Sequence, residues 1–141
     1  MPREKKPRRI SRKAAKQKGR ELQKWTAKWV SRITAIPWGK DKPIQPRGGS
    51  QTGVDIMLVG KAREMFPFSV ENKWWERWTV LEWIKQAKAN QIEGTNWLLI
   101  CKKNNMEPVV IMDAAAFFRI YRMVLKYKYG ADYHRKKGDK K

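Results

Sequence analysis

Apolar residues recur at helical spacing in "GRELQKWTAKWVSRIT" (19–34), where Leu22, Trp25, Trp29 and Ile33 form one stripe with lysines and arginines opposite. At about 100° per residue, Glu21 falls about 40° from Trp25, so its carboxylate is expected to face the body of the domain. The Pro/Gly-rich stretch 36–53 reads as a long loop with room for one short strand. "VDIMLVG" (54–60) and "FPFSVENKWW" (66–75) are strand-like runs joined by a polar turn, "KAREM", which predicts an antiparallel pair. In "TVLEWIKQAKANQI", Thr79 followed by Glu82 makes a capping box ahead of a stripe of Val80, Trp83, Ile84 and Ala87. "NWLLICKKN" and "EPVVIMD" then predict two buried strands around an Asn-Asn turn, and Asp113 is placed to cap a last helix, "AAAFFRIYRMVLKYKY". The order is helix, two or three strands, helix, two strands, helix, which is an α/β pattern.

Alternation along 68–73 sends Phe68 and Val70 to one side of the strand and Ser69, Glu71 and Lys73 to the other. An acid and a base thus share a strand face framed by apolar residues. Asp55 opens the preceding strand. Two carboxylates on neighbouring strands, with the carbonyl of Asn72 between them, supply oxygen ligands for Mg²⁺, and Lys73 beside them can position water and offset phosphate charge. Glu-x-Lys alone is weak, because the same spacing recurs at Glu4 and Lys6, and an exposed cross-strand ion pair is the alternative reading.

With 141 residues, 41% of them hydrophobic, the chain has material for one domain. No long uncharged apolar run exists for a membrane span, and no signal peptide is indicated, so the expectation is a soluble, intracellular, cytoplasmic protein. Cys101 and His134 are the sole residues of their types, which excludes an internal disulfide and a Cys/His zinc cluster. Any catalytic metal must sit on oxygen.

The formal charge is +20 and is concentrated at the ends. Residues 1–20 hold ten Lys/Arg against one Glu, and residues 119–141 hold nine against two Asp. Residues 1–17 are read as a disordered basic arm, 18–129 as the folded domain and 130–141 as a basic tail. Such an arm is the footprint of a polyanion, and nucleic acid fits it better than a membrane surface, since no amphipathic apolar face accompanies it. Candidate phosphate contacts are Arg8, Arg9, Arg12, Lys13, Lys16, Lys18 and Arg20, with Arg47 in the loop. Trp74, Trp75 and Trp78 are read as core or dimer contacts rather than base-stacking platforms.

"GVD" (53–55), "ENK" (71–73) and Gln86 on the following helix resemble the PD-(D/E)xK nuclease superfamily, and within it the archaeal-type Holliday junction resolvases, including versions carried by phages. The resemblance extends to "GRE", which matches a helix bearing a metal-site Glu and so points to Glu21, and to "RGGS", which matches a loop Ser and points to Ser50; it spans about residues 18–125. It implies a restriction-endonuclease-like core, a mixed central β-sheet flanked by helices. It also implies a catalytic set of Asp55, Glu71, Lys73, Glu21, Gln86 and Ser50, and Mg²⁺, with Mn²⁺ as a substitute, on Asp55, Glu71, Asn72 and Glu21. The expected activity is incision of branched DNA, above all four-way junctions, by a homodimer whose two-fold axis places two active sites. Another nuclease of the superfamily, of flap, mismatch or restriction type, and a non-catalytic nucleic-acid-binding protein are the alternatives.

Overall fold

A computed structural model describes residues 11–47 and 53–132 of the chain. Arg8, Arg9 and Ser50, and the tail from residue 133, lie outside the described residues. The first helix, α1 (Arg12–Thr34), begins earlier than the expected end of the arm. Ser11 is its N-cap, the hydroxyl accepting the Ala14 N–H at 3.2 Å.

The buried face of α1 is not the Trp stripe. It consists of Leu22, Gln23, Thr26, Ala27, Val30 and Thr34, whereas Trp25, Trp29 and Ile33 are 40%, 46% and 61% exposed. Small side chains let the helix axis approach the strands closely. The two threonines tolerate burial because each hydroxyl donates to a carbonyl one turn back, Thr26 to Leu22 at 3.0 Å and Thr34 to Val30 at 2.7 Å. The displaced indoles pack edge to face on the surface, with centroids 6.3 Å apart, and Arg32 lies over Trp29 at 4.8 Å.

In the loop that follows, β1 (Ile44–Pro46) pairs antiparallel with β2 (Ile56–Leu58), Ile44 opposite Leu58. This corrects the expected pairing of the "VDIMLVG" and "FPFSVENKWW" runs. "KAREM" is a short helix, α2 (Lys61–Met65), not a hairpin turn, so it carries the chain away before β3 (Phe68–Trp74) begins. The Asp55 N–H still reaches β3, donating to the Val70 carbonyl at 2.9 Å.

From β3 the chain crosses through α3 (Val80–Ala89) into β4 (Asn96–Lys102), which runs parallel to β3 with Glu71 opposite Leu99 and Lys73 opposite Cys101. A parallel pair requires such a crossover. With β5 (Val109–Met112) the strands form a mixed three-stranded sheet in the order β3-β4-β5, so the chain is mixed α/β, as expected. Asn105, in the left-handed region at φ 59°, makes the β4–β5 turn. Trp83 and Ala87 of α3 pack on Trp97, Leu99 and Cys101, alternate residues of one β4 face, with Trp78, Ile84 and Ile111 around them. Thr79 is the N-cap of α3, but its side chain makes no capping bond, so the expected box is not formed.

The chain divides into two compact units at Ile111/Met112. The second unit contains α4 (Ala114–Tyr129), capped as expected by Asp113, which accepts the Ala116 N–H at 3.0 Å. Phe117, Phe118, Tyr121, Met123 and Val124 of this helix are exposed. Among the described residues no helix is long and apolar enough to cross a membrane.

Candidate active site

Strand alternation in β3 divides its polar side chains between two helices. On one side, Ser69 accepts the Ile92 N–H at 2.9 Å and Thr95 lies 2.6 Å from its hydroxyl. Glu71 Oε1 accepts from Asn90 Nδ2 at 2.7 Å, and Lys73 Nζ donates to Gln86 Oε1 at 2.7 Å. All of these partners lie on α3 or just after it. On the other side, Asn72 Nδ2 donates to Thr26 Oγ1 of α1 at 2.9 Å, and Trp74 Nε1 donates to Asn104 Oδ1 at 3.0 Å.

Asp55 is fastened to β3 by its backbone and its side chain together. Besides the bond to Val70, its Oδ2 accepts the Asn72 N–H at 2.7 Å, while its carbonyl accepts the Arg47 N–H at 2.8 Å. Asp55, Glu71, Asn72 and Lys73 thereby line one cleft of about 480 Å³. Gln86 and Asn90 form part of its wall, and α1 adds Lys16, Arg20 and Gln23.

Burial governs the electrostatics here. Glu71 is 2% exposed, and that burial, followed by the neighbouring charge of Asp55, pushes its carboxyl up from 4.5 to about 7 against the opposing pull of the Asn90 bond and Lys73. Burial also raises Asp55, with the Asn72 N–H and Lys73 working against it. A pair of adjacent, partly dehydrated carboxylates is a donor set that could hold a hard cation. Cys101, across from Lys73, is pushed by burial up to about 11 and supplies no thiolate nucleophile at neutral pH.

The structure brings together Asp55, Glu71, Asn72, Lys73 and Gln86 of the expected set, with Lys16 and Arg20 at the same cleft. It does not bring Glu21. That residue is exposed, accepts from Gln17 Nε2 at 3.4 Å, and lines a separate hollow with Trp25, Trp74, Lys102 and Glu107. The expectation that Glu21 faces inward rested on the Trp25 stripe, and that stripe is the outer one. Lys18 lies 5.7 Å from the Trp74 ring centroid and donates to Asn104 Oδ1 at 2.8 Å. Arg12 and Lys13 are exposed on the first turn of α1. Arg47 lies against Gly53 at the cleft, where a Cβ would come within 2.6 Å of its guanidinium. Trp74 and Trp78 are half-buried, Trp78 against the α3–β4 core, while Trp75 is exposed. Among the described residues no group of three or more His, Cys, Asp or Glu converges.

Sequence reading missed Gln23, Thr26 and Asn90. The signal for the first two was the stripe of small and polar residues at 23, 26, 27, 30 and 34, which has the same helical spacing as the more conspicuous aromatic one. No protein-family model, no curated protein and no solved structure matches this chain.

Proposed function

We propose that the protein is a divalent-metal-dependent endonuclease with a restriction-endonuclease-like core that cuts branched DNA, resolving four-way junctions by paired incisions as a homodimer. The carrying observation is the cleft in which the half-buried Asp55 and the buried Glu71 lie side by side with Lys73 next to them, pinned at 2.7 Å by Gln86. The order of these residues over an Asp at a strand start, a Glu-x-Lys strand and a following helix supports the superfamily reading.

The donor set fits Mg²⁺ or Mn²⁺. Among the described residues the two carboxylates are joined by no third acid, and on the α1 side of the strand the buried Asn72 Oδ1 has no hydrogen-bond donor. Mg²⁺ characteristically takes one or two carboxylates and leaves further positions to water and substrate phosphate. Asp55, Glu71 and the Asn72 carbonyl would hold the ion. When bound, it supplies Lewis-acid polarisation of the scissile phosphate.

The remaining work falls to the chain itself. Gln86 Oε1 accepts one hydrogen bond from the Lys73 ammonium, which leaves its two other N–H donors for an attacking water and a phosphate oxygen. Lys16 and Arg20, on successive turns of α1, present positive charge across the cleft from the carboxylates and would hold the flanking backbone. Two-fold incision requires a second copy. The exposed apolar residues of α4, with Phe117 stacked on Tyr121 at 6.2 Å, offer a surface for that association.

The test uses a labelled four-way junction, a flap and a linear duplex with and without Mg²⁺. Paired, Mg²⁺-dependent cuts in the junction are expected, and cutting of the duplex alone would assign the protein to another nuclease type. The second reading, a non-catalytic nucleic-acid-binding protein, is favoured by the +20 charge and the cationic α1 wall. Binding of all three substrates with no cleavage, with or without Mg²⁺, would establish it.

A further inference from the structure

α1 is locked onto β3 by one bond whose register decides what faces the carboxylates. Thr26 Oγ1 accepts from Asn72 Nδ2 at 2.9 Å, and the backbone N–H of the same Asn72 donates to Asp55 Oδ2 at 2.7 Å. One turn before Thr26 on the same helix face stands Gln23. It is 8% exposed and lines the cleft with Asp55 and Glu71. No described residue hydrogen-bonds its side-chain amide, and the amide's own atoms keep surface at the cleft, so they stand free to meet a ligand there. Glu21 is two residues away, about 200° around the helix, and opens onto the other hollow.

Resting on the nuclease reading, we infer that Gln23, not Glu21, is the side chain α1 contributes to the metal, presenting its amide oxygen beside the carboxylates of Asp55 and Glu71. This makes the protein's ligand set two charges and two neutral oxygens, the second being the Asn72 carbonyl. Affinity for a hard cation follows the number of charged ligands. The site therefore holds its ion weakly alone and draws the third negative oxygen from the substrate phosphate. A glutamate at 23 would complete the site without DNA.

The experiment is calorimetric titration of Mn²⁺ into DNA-free protein at pH 8, with far-ultraviolet circular dichroism confirming that each variant folds. Wild type, Asp55→Asn, Gln23→Ala, Gln23→Glu and Glu21→Gln are compared. Gln23→Ala should weaken binding by about tenfold and Gln23→Glu should tighten it by at least as much, while Glu21→Gln stays within about twofold. Binding by Gln23→Ala at wild-type strength, or a loss confined to Glu21→Gln, overturns the assignment of Gln23 and leaves the nuclease reading standing, provided Asp55→Asn abolishes binding. Wild type that binds no Mn²⁺, or Asp55→Asn that binds normally, overturns the reading and the inference together. Should Gln23→Glu misfold, the Gln23→Ala and Glu21→Gln pair decides alone.

Discussion

Replacing Glu71 by Gln should stabilise the metal-free protein while removing its metal site. Glu71 Oε1 accepts from Asn90 Nδ2 at 2.7 Å, and a glutamine presents the same acceptor in the same volume. What disappears is a buried negative charge beside Asp55. A carboxyl held at about 7 instead of 4.5 is the more strongly protonated form in the folded state, so its contribution is intact below about pH 4.5 and is lost as pH rises through 7. The span corresponds to roughly 3 kcal/mol above both values, and water at the mouth of the cleft screens part of it, leaving about 1–2 kcal/mol. For a protein of this size that is about 3–8 °C in melting temperature. The assay is thermal melting in EDTA from pH 5 to 8, then at pH 8 with Mg²⁺ added. Wild type should lose stability as pH rises, and the variant should lose less and melt higher at pH 8. Mg²⁺ at ten times its dissociation constant should return about 1.4 kcal/mol to wild type and almost nothing to the variant. A variant that melts below wild type in EDTA at pH 8 would refute the reasoning, because Glu71 would then be favourably ionised in the fold.

Lys73→Ala should abolish junction incision with Mn²⁺ binding retained, and Gln86→Ala, which only frees the ammonium, should slow incision by about tenfold; single-turnover cleavage and calorimetry separate the two effects. Deleting residues 1–10, which carry five Lys/Arg, should weaken binding to every DNA alike and flatten the dependence of affinity on salt by about 0.9 for each phosphate the shortened chain no longer neutralises. An unchanged slope would show that those residues do not touch phosphates. Leu22→Ala should cost about 2–5 kcal/mol in urea denaturation and Ile33→Ala less than about 1, since Leu22 is 1% and Ile33 61% exposed; the opposite order would put the core on the Trp25 stripe.

Roles that depend on a residue's own strand were readable, and of the two expected caps Asp113 forms while the Thr79 box does not. Two-residue alternation in β3 suffices to put Glu71 and Lys73 on one face, and the structure sends both to partners on or just after α3. Asp113 caps α4 because a cap needs only the four residues around it. Pairing was less legible. Asp55 does reach β3, but the antiparallel ladder expected there is formed between β1 and β2, because the choice between a polar turn and one turn of helix at "KAREM" depends on tertiary contacts that local propensity does not contain.

The reading of α1 failed for a different reason, and the failure carries the site with it. Helical periodicity identifies stripes but does not say which one is buried, and the larger apolar stripe is the usual choice. Here two stripes compete. The Trp25 and Trp29 indoles are too bulky to lie between α1 and β3 while Thr26 is within bonding distance of Asn72. That contact selects the small stripe and turns the indoles outward. Rotating the helix onto its threonines moves Glu21 out of the cleft and Gln23, Arg20 and Lys16 into it. A cleft expected to be ringed by acids thus has two carboxylates on its strands and a cationic, amide-bearing helix opposite. That asymmetry suits a site whose missing negative charge arrives with a phosphate.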